Sequence, residues 1–123
     1  AIDGKLVKAN YYMGEAYSKQ GDGDNASKYY QAYLDSGEAD AYDLFNMGQS
    51  QMEQGNYATA ITYFDAALDL DEVPNKQELM KNEIIAYEYS GDFASAKECM
   101  EDYIEEYPDD SDAEREYQFL ETR

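Results

Sequence analysis

Four pairs of residues stand 34 positions apart in this chain: Gly14 and Gly48, Gly21 and Gly55, Ala26 and Ala60, Tyr30 and Phe64. Coincidence at several independent positions marks an internal repeat, and a repeat of this length commits a chain to stacked supersecondary units that bury a core only between neighbours. The clearest unit opens Gly55-Asn56-Tyr57-Ala58-Thr59-Ala60 and continues through Phe64, Leu68 and Leu70. A second opens Gly91-Asp92-Phe93-Ala94-Ser95-Ala96, continues through Met100, Tyr103 and Ile104, and closes at Tyr107-Pro108. The weakest opens Gly21-Asp22-Gly23-Asp24-Asn25-Ala26 and continues through Tyr30, Tyr33 and Leu34. From Gly55 to Gly91 the step is 36, and Pro74-Asn75 accounts for the two extra residues.

Each unit reads as two helices and a turn. Apolar residues at spacings of three and four (Leu44, Met47; Ile61, Phe64, Leu68) give each helix one buried stripe. Gly14, Gly48, Ala26, Ala60 and Ala96 are small enough to let paired helices approach closely. Gly21-Asp22, Gly55-Asn56 and Gly91-Asp92 supply the turns. No stretch alternates with period two beside turn dipeptides, so no sheet is expected. The chain, 123 residues, is about one domain long, divided into repeats at 7–40, 41–74 and 77–110. Residues 111–123 read as a closing helix, with Ser111 as N-cap, Glu114 completing a capping box, and Ala113, Tyr117 and Leu120 facing inward. Ile2-Asp3-Gly4 stands in register with Leu70-Asp71-Glu72, so residues 1–6 read as the tail of an upstream repeat. The start at Ala1 rather than Met agrees with a piece of a longer protein.

These motifs resemble the tetratricopeptide repeat family, whose first helix carries aromatic-x2-Leu-Gly-x2-Tyr and whose second carries Ala-x3-Phe, with Pro after it. Leu44-x2-Met47-Gly48 and Asn10-x2-Met13-Gly14-x2-Tyr17 match the first helix. Ala60-x3-Phe64, Ala26-x3-Tyr30 and Ala96-x3-Met100 match the second. The third first helix departs: Met80, Glu83, Ile84 and Tyr87 hold the places, and with Ile84 for the small residue its two helices are expected to splay. The resemblance implies an all-α, right-handed α-solenoid whose first helices line a concave groove. The groove positions are then Lys8, Tyr11, Tyr12, Glu15, Ser18 and Lys19; Tyr42, Phe45, Asn46, Gln49, Met52 and Glu53; and Glu78, Lys81, Asn82, Ile85, Glu88 and Tyr89. Tyr11, Tyr42, Phe45, Asn46, Gln49, Met52, Lys81, Asn82, Ile85 and Tyr89 are the expected partner-binding residues. Asn46 and Asn82, one repeat apart, are similar to the groove asparagines that bond a bound peptide's backbone. Some members clamp the C-terminal carboxylate of chaperones with Lys and Asn. Here those places hold Tyr11, Glu15, Asn46, Glu78 and Asn82, and the two glutamates would repel a carboxylate.

Charge narrows the partner further. Nine Lys and Arg face 28 Asp and Glu, a formal net charge of -19, which opposes any phosphate backbone. Within the groove set three cations meet four anions, so the groove is the least acidic surface and suits a neutral or basic peptide or protein with aromatic or aliphatic anchors. With 43% hydrophobic residues and 14 Tyr, the acidity is a solvated face and not the mark of disorder. There is no His, which removes the commonest general base and the Ser-His and Cys-His pairs. No phosphate-binding glycine loop or metal motif appears. We therefore expect a non-catalytic scaffold without cofactor or metal. Asp22 to Asn25 lacks the glycine and bidentate glutamate of a calcium loop. Paired carboxylates abound, and Glu105, Glu106, Asp109, Asp110 and Asp112 near the last turn form a cluster that could hold a hard cation. Cys99 is alone, so no disulfide forms within the chain, and it replaces Tyr63 of the preceding repeat as a half-buried apolar residue. No run approaches a membrane span, and no basic amphipathic segment suits an anionic membrane. The compartment stays open between a cytosolic setting, which the single Cys suits, and a bacterial surface, which the acidic, Tyr-rich composition favours. Two alternatives accompany the scaffold: a self-associating element that stacks through its N-terminal end, and a regulatory arm of a larger protein.

Overall fold

The structure is a computed structural model that describes residues 4–122. Its described residues form seven helices and no strand: α1 (Gly4–Lys19), α2 (Gly23–Asp35), α3 (Ala41–Glu53), α4 (Tyr57–Leu68), α5 (Lys76–Ser90), α6 (Phe93–Glu106) and α7 (Ser111–Glu121). Helix α1 starts at Gly4. Residues 1–3 of the expected upstream tail lie outside the described residues.

Three turns recur. Gly21, Gly55 and Gly91 take φ of 77, 78 and 85°, a left-handed conformation that costs a residue with a Cβ but not glycine. The amide that follows each glycine then reaches back to close the preceding helix: Asp22 to Tyr17 O at 2.9 Å, Asn56 to Gln51 O at 2.9 Å, Asp92 to Tyr87 O at 3.0 Å. Asp22 and Asp92 next accept the Asn25 and Ser95 amides, capping α2 and α6. Asp40 caps α3 in a reciprocal box with Asp43. Helix α7 corrects an expectation. Its N-cap is Asp110, which accepts the Ala113 amide at 3.2 Å, and Ser111 is the first helical residue. A carboxylate is a stronger acceptor than a hydroxyl and suits the positive end of the helix dipole.

Consecutive helices pack as hairpins, α1 on α2, α3 on α4 and α5 on α6, with α7 against α6. Glycine allows the first two pairs their closeness. A Cβ at Gly48 would lie 2.7 Å from Phe64 Cδ1, and one at Gly14 would run into the Tyr30 ring. In the third pair Ile84 stands where the earlier pairs have glycine, and it joins Met100 in one apolar cluster.

Two apolar clusters result, meeting on α5. Leu79 and Ala86 belong to the larger, with Leu44, Met47, Tyr30, Tyr63 and Phe64. Ile84 belongs to the smaller, with Met100, Tyr103, Ala113 and Leu120. Each of the large side chains contributes roughly 1.5–3 kcal/mol by burial.

Polar latches hold the junctions. Lys8 Nζ pairs with Asp43 Oδ1 at 2.9 Å, and the Tyr33 hydroxyl donates to Asp43 Oδ2 at 2.7 Å, tying α1, α2 and α3. Lys81, Tyr103 and Asp110 repeat the arrangement across α5, α6 and α7. At the middle junction Ala67 replaces the tyrosine. There the buried Asn75, one of the two inserted residues, donates to Ala41 O at 3.2 Å.

Candidate functional site

The polar residues expected to meet a partner are used first to bind the first helices to one another. Asn46 Nδ2 donates to the Tyr11 hydroxyl at 3.1 Å, joining α3 to α1. Gln49 Nε2 donates to Asn82 Oδ1 at 2.6 Å, joining α3 to α5, while Asn82 Nδ2 turns back to Glu78 O at 2.8 Å. The Ser50 hydroxyl meets that of Ser18, and Gln54 Nε2 donates to Ser18 O at 3.1 Å. Asn46 Oδ1 and Gln49 Oε1 accept no hydrogen bond among the described residues and remain as acceptors on this face.

The apolar members divide by depth. Tyr11 is 8% exposed and packs edge-on against Tyr33, so its ring belongs to the core and its hydroxyl to Asn46. Phe45 is half-buried against Phe64, and Met52 packs on the same cluster. Tyr42 is 55% exposed and makes no ring contact or hydrogen bond among the described residues. Ile85 is exposed as well. Tyr89, 66% exposed, stacks on Tyr57 with ring centroids 5.6 Å apart. Tyr12, beside them in the groove set, is also exposed.

Two of the three groove cations are committed. Burial pulls the Lys8 ammonium down, but its bonds to Asp43 and Tyr33 more than offset this and raise its pKa. Lys81 is held 3.3 Å from Asp110 and raised chiefly by that contact. Lys19 has no ion pair among the described residues. Since both bound lysines are neutralised locally, the groove presents more negative charge than its composition indicates. Glu15 accepts the Tyr30 hydroxyl at 2.6 Å.

Two features go beyond the expected binding residues. One is a hollow at the end of the groove, where Lys81 and Ile85 of α5 meet Met100 and Tyr103 of α6 and Asp110, Ala113 and Glu116 of α7. The other is a buried acid. Glu83 takes the place that Met13 and Met47 hold in the earlier repeats, and its Oε2 is sealed from solvent with no donor. Burial and then the neighbouring Asp65 push its carboxyl up to about 8, so at neutral pH it carries its proton. The Cys99 thiol donates to Glu83 Oε1 at 3.6 Å, and burial followed by that acid pushes the thiol up to about 12. A thiol so placed is a poor nucleophile. The acids near the last turn are likewise engaged: Glu106 pairs with Lys76, and Asp110 with Lys81. Among the described residues no three Asp, Glu or Cys side chains gather as metal ligands.

Sequence profiles described as Tetratricopeptide repeat match residues 11–76 and 51–115. No curated protein matches the sequence. The chain superposes on the first TPR of Spaghetti (RPAP3), a structure with the bound HSP90 peptide SRMEEVD. The TM-score is 0.62 at 19% identity, covering 98% of this chain and 97% of that one. The likeness is one of fold, and it extends along the whole stack of helices. With two overlapping profiles spanning all three helix pairs, the chain belongs to the tetratricopeptide repeat family.

Proposed function

We propose that this chain is a non-catalytic protein-interaction module that receives a peptide or protein partner along the face formed by α1, α3 and α5. One observation carries the reading. Of eight large hydrophobic side chains left exposed among the described residues, four (Tyr12, Tyr42, Ile85 and Tyr89) stand at groove positions. Aromatic and aliphatic side chains kept at the surface of a rigid face are what partner recognition uses. The partner is neutral to basic with apolar anchors. The RPAP3 structure holds an acidic chaperone peptide, whereas Glu15 and Glu78 here stand where a carboxylate would be clamped. The module needs no cofactor. Among the described residues no helix is long and apolar enough to cross a membrane.

The test is capture from extract of the producing cells, comparing the native chain with a Tyr12→Ala, Tyr42→Ala double variant and a Thr62→Ala control on α4. All three sites are exposed, so all should remain helical. A partner lost only with the double variant supports the groove, and equal capture by all three sinks it. Self-association is favoured by a different observation: Leu6 and Met13 are exposed on α1, although Met47, the equivalent of Met13, is fully buried. Capture of this chain alone, with mass rising with concentration, would select that reading.

A further inference from the structure

The hollow at the junction of α5, α6 and α7 has a volume of about 170 Å³, room for one long side chain. Its base is apolar, with Ile84, Met100 and Ala113 buried beneath it and Ile85 forming an exposed wall. Its polar groups are nearly all spoken for. Asp110 caps α7, accepts the Tyr103 hydroxyl and holds Lys81. Asp112 pairs with Arg115. Glu116 is the exception, with no hydrogen bond or ion pair among the described residues. It stands on the rim, shared with the shallower hollow beside Phe119. Of the three carboxylates on its lining, Asp110 and Asp112 are each paired with a cation and Glu116 is not, so the unmatched charge is negative.

An occupant must supply an apolar stem for the base and a positive tip for the rim. A purely aliphatic side chain leaves Glu116 unmatched, and an acidic one sets a second carboxylate beside Glu116 while Lys81 is already held by Asp110. Lysine and arginine carry both parts in one side chain, and such chains lay their methylenes along apolar surface while the charged head stays in water. We propose that this pocket receives a single lysine or arginine side chain of the partner, its stem against Ile84, Ile85 and Met100 and its tip at Glu116. The inference deepens the interaction-module reading and rests on it for the existence of a partner.

The pocket is tested apart from the groove by small probes: n-pentylammonium and n-butylguanidinium as side-chain mimics, with 1-pentanol and pentanoate as neutral and anionic controls. Binding is followed by amide NMR of the whole chain to about 50 mM probe, the range expected of single-contact affinities. The cationic probes should saturably shift Ile85, Ala113 and Glu116, binding about threefold or more tightly than pentanol, as one partly exposed charge pair allows. Glu116→Gln should remove that advantage and leave pentanol unchanged, and about 0.5 M salt should do the same. Equal binding of pentanol and pentylammonium, a preference for pentanoate, or no saturable shift would each overturn the proposal. The two readings separate cleanly. Loss of the captured partner with the Tyr12→Ala, Tyr42→Ala variant, together with indifferent probes, keeps the groove and removes the pocket. Selective cationic probes with capture insensitive to that variant keep the pocket and remove the groove.

Discussion

Tyr103 donates its hydroxyl proton to Asp110 Oδ2 at 2.6 Å, bridging α6 to the start of α7. Tyr33, at the same place in the first repeat, does the same to Asp43 at 2.7 Å. Each aspartate also serves a helix start and a lysine, so one carboxylate organises three elements. Tyr103→Phe keeps the ring and removes the bond. Because the acceptor is ionised, the expected loss is about 1.5–3 kcal/mol. The check is a urea titration together with amide exchange, and protection should fall first between residues 113 and 121. Uniform loss across the chain would refute a local latch.

Glu83 is expected to cost stability. Its carboxyl is neutral in the folded chain up to about pH 8 but ionises near 4.5 when unfolded. The folded state therefore holds the extra proton between those values, and stability falls as pH rises through that window. Glu83→Met restores the residue found at positions 13 and 47. It should stabilise by about 2 kcal/mol at pH 8 and by clearly less at pH 5. Denaturant midpoints at the two pH values decide the matter, and an equal gain at both would show that the carboxyl titrates normally.

Gly48→Ala tests the closeness of α3 and α4. Alanine is the better helix former, so propensity alone favours the variant by about 1 kcal/mol. The added methyl collides with the Phe64 ring, and overpacking of this kind costs about 1–3 kcal/mol. A lower melting temperature is expected, partly recovered by adding Phe64→Leu. A higher one would mean that the ring yields without cost.

Cys99 should resist alkylation. With its thiol raised from 9.0 to about 12, the thiolate at pH 7.5 is rarer by roughly three orders of magnitude. Iodoacetamide labelling, read by mass, should be slow in the folded chain and fast in urea. Equal rates would place the thiol in water.

How much of this was visible in the letters depends on the kind of interaction. The period exposed equivalence, so the helix pairs, the glycine turns and the small residues beneath Tyr30 and Phe64 could be read directly. Equivalence does not reveal partners. Asn46 and Asn82 stand at matching places, yet one bonds a tyrosine hydroxyl and the other a glutamine amide. Asp110 displaced Ser111 as a cap because the neighbouring Tyr103 and Lys81 fix its carboxylate, contacts that no local motif encodes. Tyr11 falls at a groove position in the repeat, but its ring turns into the core against Tyr33. The pocket at α7 was hidden for a related reason: its wall comes from a helix outside the period. Glu83 did leave a signal, an acid where two methionines stand in register.

The side chains that join α1 to α3 and α3 to α5 give the array its stiffness. Asn46, Gln49, Ser50 and Gln54 act as rungs, and flattening the curve would stretch Gln49 away from Asn82 before any backbone bond moved. A partner docking on this face, as proposed above, would meet a surface already cross-linked into shape, so that little of the free energy of contact would be diverted into bending the receptor.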